Sequence, residues 1–179
     1  MEISVYIATS LDGFIARKDG SLDWLPGSDG SDDGSGEDYG YGEFMAGIDV
    51  LIMGRNTFEM VRSFGTWPYG ELRVAVLSST LGSLPEELPD NVVRMSGLPR
   101  DIREMLAADG CRHAYLDGGK AIQAFLDAGL VNRLILTRVP VLLGEGIPLF
   151  GPLAGDLKLQ HIKTLSFENG FVQSHYHCL

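Results

Sequence analysis

Asp49-Val50-Leu51-Ile52-Met53-Gly54-Arg55-Asn56-Thr57-Phe58-Glu59-Met60 is the stretch whose reading decides the fold. Val50 to Met53 is a short unbroken apolar run, as in a strand buried on both faces. Gly54 interrupts it, and the spacing then turns helical, predicting a helix from Asn56 to Ser63. Arg55 stands where that helix opens, facing the positive end of the helix macrodipole. An anion on the free N–H groups of the first turn would give it a counter-charge, so a phosphate-bearing ligand is expected. The plainer reading leaves Arg55 solvated and Gly54 as a strand end.

The same plan recurs at Tyr115–Phe125, where Asp117-Gly118-Gly119 turns the chain from a strand into a helix. That helix, Lys120 to Ala128, has one apolar face of Ala121, Ile122, Phe125 and Leu126, with Gly129 beyond its end. Further strands are predicted at Ile3–Ala8, Arg73–Leu77, Val92–Val93, His113–Leu116 and Leu134–Val139, with a short extended piece at Phe14–Ala16. Helices are predicted at Glu43–Ile48 and Pro99–Asp109. Lys158–Phe167 and Phe171–His177 read as two last strands joined through Asn169-Gly170, a two-residue hairpin turn that makes them antiparallel. Strands alternating with helices describe an α/β domain with a mostly parallel sheet. In such a sheet both glycine turns lie at the carboxyl edge, where their helix N-termini could converge on one diphosphate. Neither turn is a P-loop, and no G-x-G-x-x-G occurs.

A chain of 179 residues reads as one domain, 1–179, and its 45% hydrophobic and 21% charged content is ordinary for a globular protein. The net charge of −10 argues against nucleic acid or anionic membrane as partner, so any phosphate must be held locally. Cys111 and Cys178 are too few for a disulfide framework, which suits a cytoplasmic setting. The acidic start Met1-Glu2-Ile3-Ser4-Val5 is not a signal peptide, and no apolar run reaches the roughly 20 residues that span a bilayer. Residues from about 27 to 42 are dominated by Gly, Ser and Asp and read as a mobile loop. Asp29-Gly30-Ser31-Asp32-Asp33-Gly34 has the look of a calcium loop, yet its twelfth position is Gly40 where glutamate is needed. His175 and His177 share a strand face without a third ligand, so no metal is expected.

Four pieces in order resemble the dihydrofolate reductase superfamily: Ala8…Leu11-Asp12-Gly13-Phe14-Ile15-Ala16, Met53 to Glu59, Leu77-Ser78-Ser79, and Asp117-Gly118-Gly119. The run Pro140-Val141-Leu142-Leu143-Gly144-Glu145-Gly146-Ile147-Pro148-Leu149-Phe150 is more similar to the reductase domain of riboflavin biosynthesis. The resemblance spans nearly the whole chain. It implies a three-layer dihydrofolate-reductase-like fold, helices on both faces of the sheet, NADPH as cofactor and a homodimer. Gly54, Arg55, Asn56 and Thr57 would hold the NADPH diphosphate and, through Arg55, the 2′-phosphate. Leu77, Ser78 and Ser79 would bracket the adenosine end. Gly118, Gly119, Lys120, Ala121 and Ile122 would form the second helix terminus, and Ala8 and Ile15 would lie near the nicotinamide. On the substrate side stand Asp12, Trp24, Phe44 and Asp117. Asp117 either meets a substrate hydroxyl or caps the helix that follows.

The chain departs from classical dihydrofolate reductase in its carboxylate. Trp24-Leu25-Pro26 is separated from Phe44 by the Gly/Asp-rich insert, and one turn before Phe44 stands Gly40. Counting on from Pro26 reaches Asp29; Asp38 and Glu43 are the alternative proton donors. The resemblance implies an NADPH-dependent reductase of a small heterocycle, of the riboflavin-pathway type or, second, dihydrofolate. A non-catalytic NADP-binding protein is the reading from another class.

Overall fold

Interior strands of this protein are short and rich in β-branched residues, and its glycines fall where strands end. The computed structural model describes residues 1–27 and 36–179. In chain order the elements are β1 (Glu2–Ser10), β2 (Phe14–Ala16), α1 (Tyr41–Ala46), β3 (Val50–Gly54), α2 (Arg55–Ser63), β4 (Arg73–Leu77) and β5 (Val92–Met95). There follow α3 (Pro99–Ala108), β6 (His113–Asp117), α4 (Gly119–Asp127), β7 (Arg133–Val139), β8 (Ile147–Pro148), β9 (Leu159–Ser166) and β10 (Val172–Cys178). Eight strands form one sheet in the order β5-β4-β3-β6-β1-β7-β10-β9, while β2 and β8 pair separately. Pairing is parallel from β5 to β7, and β10 is antiparallel to both β7 and β9. The expected α/β fold with a C-terminal antiparallel hairpin is therefore present.

Alternation along the strands divides the core into two layers. Val50, Ile52, Ala114 and Leu116 pack with Ile102 and Leu106 of α3 and with Ile122 and Phe125 of α4. Leu51, Met53 and Tyr115 pack on the opposite side with Phe58 of α2 and Phe44 of α1. Right-handed crossovers explain the division: the chain moves one way along the sheet through α1 and α2, then returns through α3 and α4.

Several boundaries differ from the sequence reading. α2 begins at Arg55 rather than Asn56, and α1 runs from Tyr41 to Ala46 rather than from Glu43 to Ile48. Ile48 leaves the helix for the core, where it is buried. The final hairpin is a three-residue connection, not a two-residue one. The Gly170 N–H donates to the Phe167 carbonyl at 2.9 Å, and Gly170 takes φ 85°, the bulge geometry that follows a type I turn. Part of the expected 27–42 loop is packed, since the Tyr39 ring lies 4.9 Å from Phe167 and 5.4 Å from Phe171 between centroids.

Candidate functional site

β3 and β6 are parallel neighbours with Met53 opposite Asp117, so their carboxyl ends finish side by side. From β3 the chain turns into α2 over one face; from β6 it turns into α4 over the other. The gap between the two helix openings is a topological switch point, the place where open α/β sheets bind ligands. The approach is close. A Cβ on Gly118 would stand 2.4 Å from Thr57 Oγ1 and 3.6 Å from the Gly54 nitrogen, and Gly118 has φ +92°. Glycine is the residue that fits both the contact and the backbone. Neither α2 nor α4 carries a side-chain N-cap. Their first-turn N–H groups are thus unclaimed by cap side chains, two adjacent positive dipole ends that suit a diphosphate.

Arg55 heads α2 at one rim of this crevice. Its Nη1 donates to Thr80 Oγ1 at 3.1 Å, and its Nε lies 3.5 Å from Glu59 Oε1. Ser78 Oγ accepts the N–H groups of Thr80 and Leu81, shaping the loop that Arg55 touches, and Ser79 is exposed beside it. Leu77 pairs with Gly54 at the end of β4. Asn56 and Lys120 are exposed in the two first helical turns, whereas Ala121 and Ile122 are buried beneath α4. Ile15 leans against the start of α4, its Cδ1 being 2.8 Å from where a Gly119 Cβ would sit. Ala8 packs with Trp24, which is 9% exposed and whose Nε1 has no hydrogen-bond partner among the described residues.

Asp117 closes β6 with its side chain on the α1/α2 side of the sheet, as strand alternation from Tyr115 requires. Its Oδ1 accepts the Gly118 N–H at 2.7 Å. No other side-chain hydrogen bond of Asp117 is found among the described residues, and it does not cap α4, whose N-cap is Gly118. Desolvation pushes its carboxyl up to about 6, against the lowering pull of the Gly118 N–H. Tyr41, opening α1, and Tyr69, between α2 and β4, are within electrostatic reach: burial first, then the Asp117 charge, raises both hydroxyls. Sequence reasoning missed these two tyrosines. The available signal was local: Gly40-Tyr41-Gly42 and Pro68-Tyr69-Gly70 each place an aromatic ring in a turn, outside any periodic face.

The residues named as tentative proton donors lie elsewhere. Asp38 is exposed and accepts the N–H groups of Gly40 at 2.8 Å and Gly42 at 3.1 Å, steering the chain into α1. Those bonds hold its carboxyl below the usual range, so it is a poor proton source near neutrality. Glu43 is exposed on the far side of α1, at a groove of about 560 Å³ that also meets His113, Arg133, Lys163 and His175. Phe44 packs on Tyr6 and Tyr115, at centroid distances of 5.1 and 5.2 Å, and so underlies the Asp117 corner instead of lining it. Asp12 is engaged within the fold: Ser10 Oγ donates to it at 2.6 Å, and the Leu143 and Gly144 N–H groups at 3.2 and 2.8 Å. Asp29 and the Asp29–Gly34 run fall outside the described residues. Among the described residues no cluster of three or more His, Cys, Asp or Glu is placed to hold a metal, and no helix is long and apolar enough to cross a membrane.

Residues 2–173 match the RibD C-terminal domain. The chain belongs to the RibD C-terminal domain family. It is 33% identical over 174 residues to YwjB of Bacillus subtilis (strain 168), covering 96% of this chain and 95% of YwjB. It is 27% identical to YyaP of the same organism, covering 96% of this chain and 92% of YyaP. A candidate riboflavin biosynthesis protein from Shewanella sp. PV-4 superposes with a TM-score of 0.92 at 42% identity, over 100% of this chain and 99% of that one. A Thermotoga maritima diaminohydroxyphosphoribosylaminopyrimidine deaminase/5-amino-6-(5-phosphoribosylamino)uracil reductase shares the fold at a TM-score of 0.72 and 16% identity, over 99% of this chain and 56% of that one.

Proposed function

We propose that this protein is an NADPH-dependent reductase that passes hydride to a small heterocyclic substrate of the riboflavin-pathway type, with dihydrofolate as the second choice. The observation that carries the reading is the crevice between α2 and α4. Its walls meet so closely that Gly118 has no room for a Cβ, and both helix openings lack a side-chain cap. The N–H groups of residues 55–57 and 119–121 would hold the diphosphate. Arg55, with the Ser78–Thr80 loop against it, would take the 2′-phosphate. Ala8 of β1 and Ile15 of β2 would border the nicotinamide. Bound NADPH supplies the hydride; the chain supplies orientation, exclusion of water and a proton. The setting is cytoplasmic and the working form a homodimer.

Fluorescence titration with NADPH and NADH tests the cofactor. NADPH is expected to bind at least about tenfold more tightly, a difference of about 1.4 kcal/mol. Arg55→Ala should erase that preference while leaving NADH affinity nearly unchanged. Failure of either dinucleotide to bind would end the reductase reading. A non-catalytic NADP-binding protein is favoured by one observation: Asp38 and Glu43 are both exposed, and backbone N–H donors hold the Asp38 carboxyl below its usual range. Steady NADPH oxidation with a dihydropterin, a ribosylaminopyrimidine or an aromatic aldehyde would dismiss it.

A further inference from the structure

We infer that the substrate side of this site takes a flat, uncharged ring compound and excludes its phosphorylated counterpart. The inference rests on the reductase reading and deepens it by naming the substrate class. Two runs of aromatic rings stand on the α1/α2 side of the sheet. In the first, Tyr41 at the opening of α1 meets Tyr6 edge-on at 5.5 Å between centroids, and Phe44 bridges Tyr6 and Tyr115 at 5.1 and 5.2 Å. In the second, within and after α2, Tyr69 meets Trp67 at 5.3 Å and Trp67 meets Phe58 at 6.0 Å. Tyr41 is exposed and Tyr69 half-buried, so each run ends in a ring that a ligand can reach. Burial, then the Asp117 charge, then Tyr41 raise the Tyr69 hydroxyl, so the two runs close on one corner. Ring faces and edges of this kind hold a planar heterocycle or aryl group by stacking and apolar contact.

A phosphate monoester carries about two negative charges at neutral pH and needs free N–H groups or cations to leave water. Among the described residues this corner is given neither. The opening of α1 is already filled: the Asp38 carboxylate accepts the N–H groups of Gly40 at 2.8 Å and Gly42 at 3.1 Å, and its carbonyl accepts that of Tyr41 at 2.8 Å. The fourteen Lys and Arg residues are placed elsewhere. Arg17 and Lys18, beyond β2, are paired with Asp23 and Glu145. On α2, Arg55 turns to Thr80 and Arg62 to Glu87. Arg73 and Arg133 begin β4 and β7, and Arg112 precedes β6, all at the amino edge of these parallel strands. Arg94, on β5, donates at 2.8 Å to the Leu81 carbonyl three strands away from β6. Arg138 follows Leu134 and Leu136 onto the α3/α4 side of β7. The other five belong to α3, α4 or the β9 edge. Residues 28–35, outside the described ones, bring three aspartates and no Lys, Arg or His by sequence. A phosphate at the Tyr41–Tyr69 corner would thus trade its water for rings and for the Asp117 charge that both hydroxyls feel. A ribosylaminopyrimidine is accordingly received without its 5′-phosphate.

The test uses matched pairs: a ribosylaminopyrimidine with and without its 5′-phosphate, a hydroxymethyl dihydropterin with and without a phosphate on that side chain, and an aromatic aldehyde with and without a ring carboxylate. NADPH oxidation gives kcat/KM for each compound, and fluorescence gives NADPH affinity. The neutral member of at least one pair should be turned over, and its charged counterpart should be lower in kcat/KM by about 10²-fold or more, mostly through KM. Tyr41→Arg places a cation at the exposed end of the first run. It should bring the charged member to within about tenfold of the neutral one, with NADPH affinity changed by no more than about threefold. Tyr41→Phe, which keeps the ring and adds no charge, should keep the discrimination. Equal turnover of the two members of a pair overturns the proposal and leaves the reductase reading standing. A Tyr41→Arg protein that is folded by circular dichroism and leaves the ratio unmoved does the same. Should Tyr41→Arg not fold, the ratio measured with the unaltered protein decides. Absence of NADPH binding, or binding without oxidation of either member of any pair, overturns both.

Discussion

A carboxyl that keeps its proton toward neutrality is one the fold has taken out of water, and Asp117 is such a group. Its folded value of about 6 lies above the ordinary 3.8, so between those limits the folded state holds more protons than the unfolded one. Stability from this group is therefore greatest at acid pH and declines as pH rises through about 6. The penalty at neutral pH is on the order of 2 kcal/mol, discounted for the residue's remaining contact with solvent. Asp117→Asn should consequently raise the melting temperature by about 4–8 °C at pH 7.5. The gain should vanish near pH 3.5, where both states are protonated. Differential scanning calorimetry at the two pH values checks it, and a loss of stability at pH 7.5 would contradict the assignment. Asp12, Asp38 and Asp49 work in the opposite sense. A hydroxyl donor (Ser10 to Asp12) or backbone N–H donors (to Asp38 and Asp49) depress them, and their contribution is lost as pH falls below the usual carboxylate range.

The helix openings and their glycines are where element-level packing is tightest. At Gly118 an added Cβ meets Thr57 Oγ1 at 2.4 Å and must also adopt a positive φ. At Gly119 the first obstacle is the end of the Ile15 side chain, 2.8 Å away, which can turn aside. Gly118→Ala is therefore expected to cost about 2–4 kcal/mol in urea unfolding and to weaken NADPH binding strongly. Gly119→Ala should cost less than half as much; equal costs would argue against the close approach of α2 and α4. These strand–glycine–helix units were legible in the sequence because Val50–Met53 and Ala121–Leu126 each carry an unambiguous apolar period. The β2–β8 ladder was not. It joins Phe14 to Pro148 and Ala16 to Ile147, and a two-residue strand is set by tertiary contact, not by its own pattern. Asp117 was recognised, yet Tyr41 opens a helix of only six residues and Tyr69 lies in a turn, where hydrophobic spacing carries no signal. The proton donor was sought at Asp29, Asp38 and Glu43 because the resemblance pointed to the stretch before Phe44, whereas the desolvation of Asp117 depends on packing that no local spacing reveals.

For the whole molecule, α1 is too short to cover β7, β10 and β9 on its side of the sheet. The resulting groove runs from Glu43 and Phe44 to Leu165 and His177. β9 is an edge strand exposed along its full length, with Leu159, Ile162 and Leu165 each at least 40% exposed. An unprotected apolar edge of this kind invites pairing, and a second copy of the chain is the expected partner. Sedimentation velocity should find a dimer at micromolar concentration. Ile162→Glu with Leu165→Glu should convert it to a monomer without lowering NADPH affinity. A monomeric native protein would remove the homodimer from the proposal.

β1 lies in the middle of the sheet, yet its neighbours β6 and β7 are the sixth and seventh strands to be made. β1 thus waits with both margins open until β6 has followed it, and with one margin open until residue 139 has. Cotranslational compaction of this chain is correspondingly deferred, and until then the apolar Ile3 and Val5 need shelter from neighbouring nascent chains.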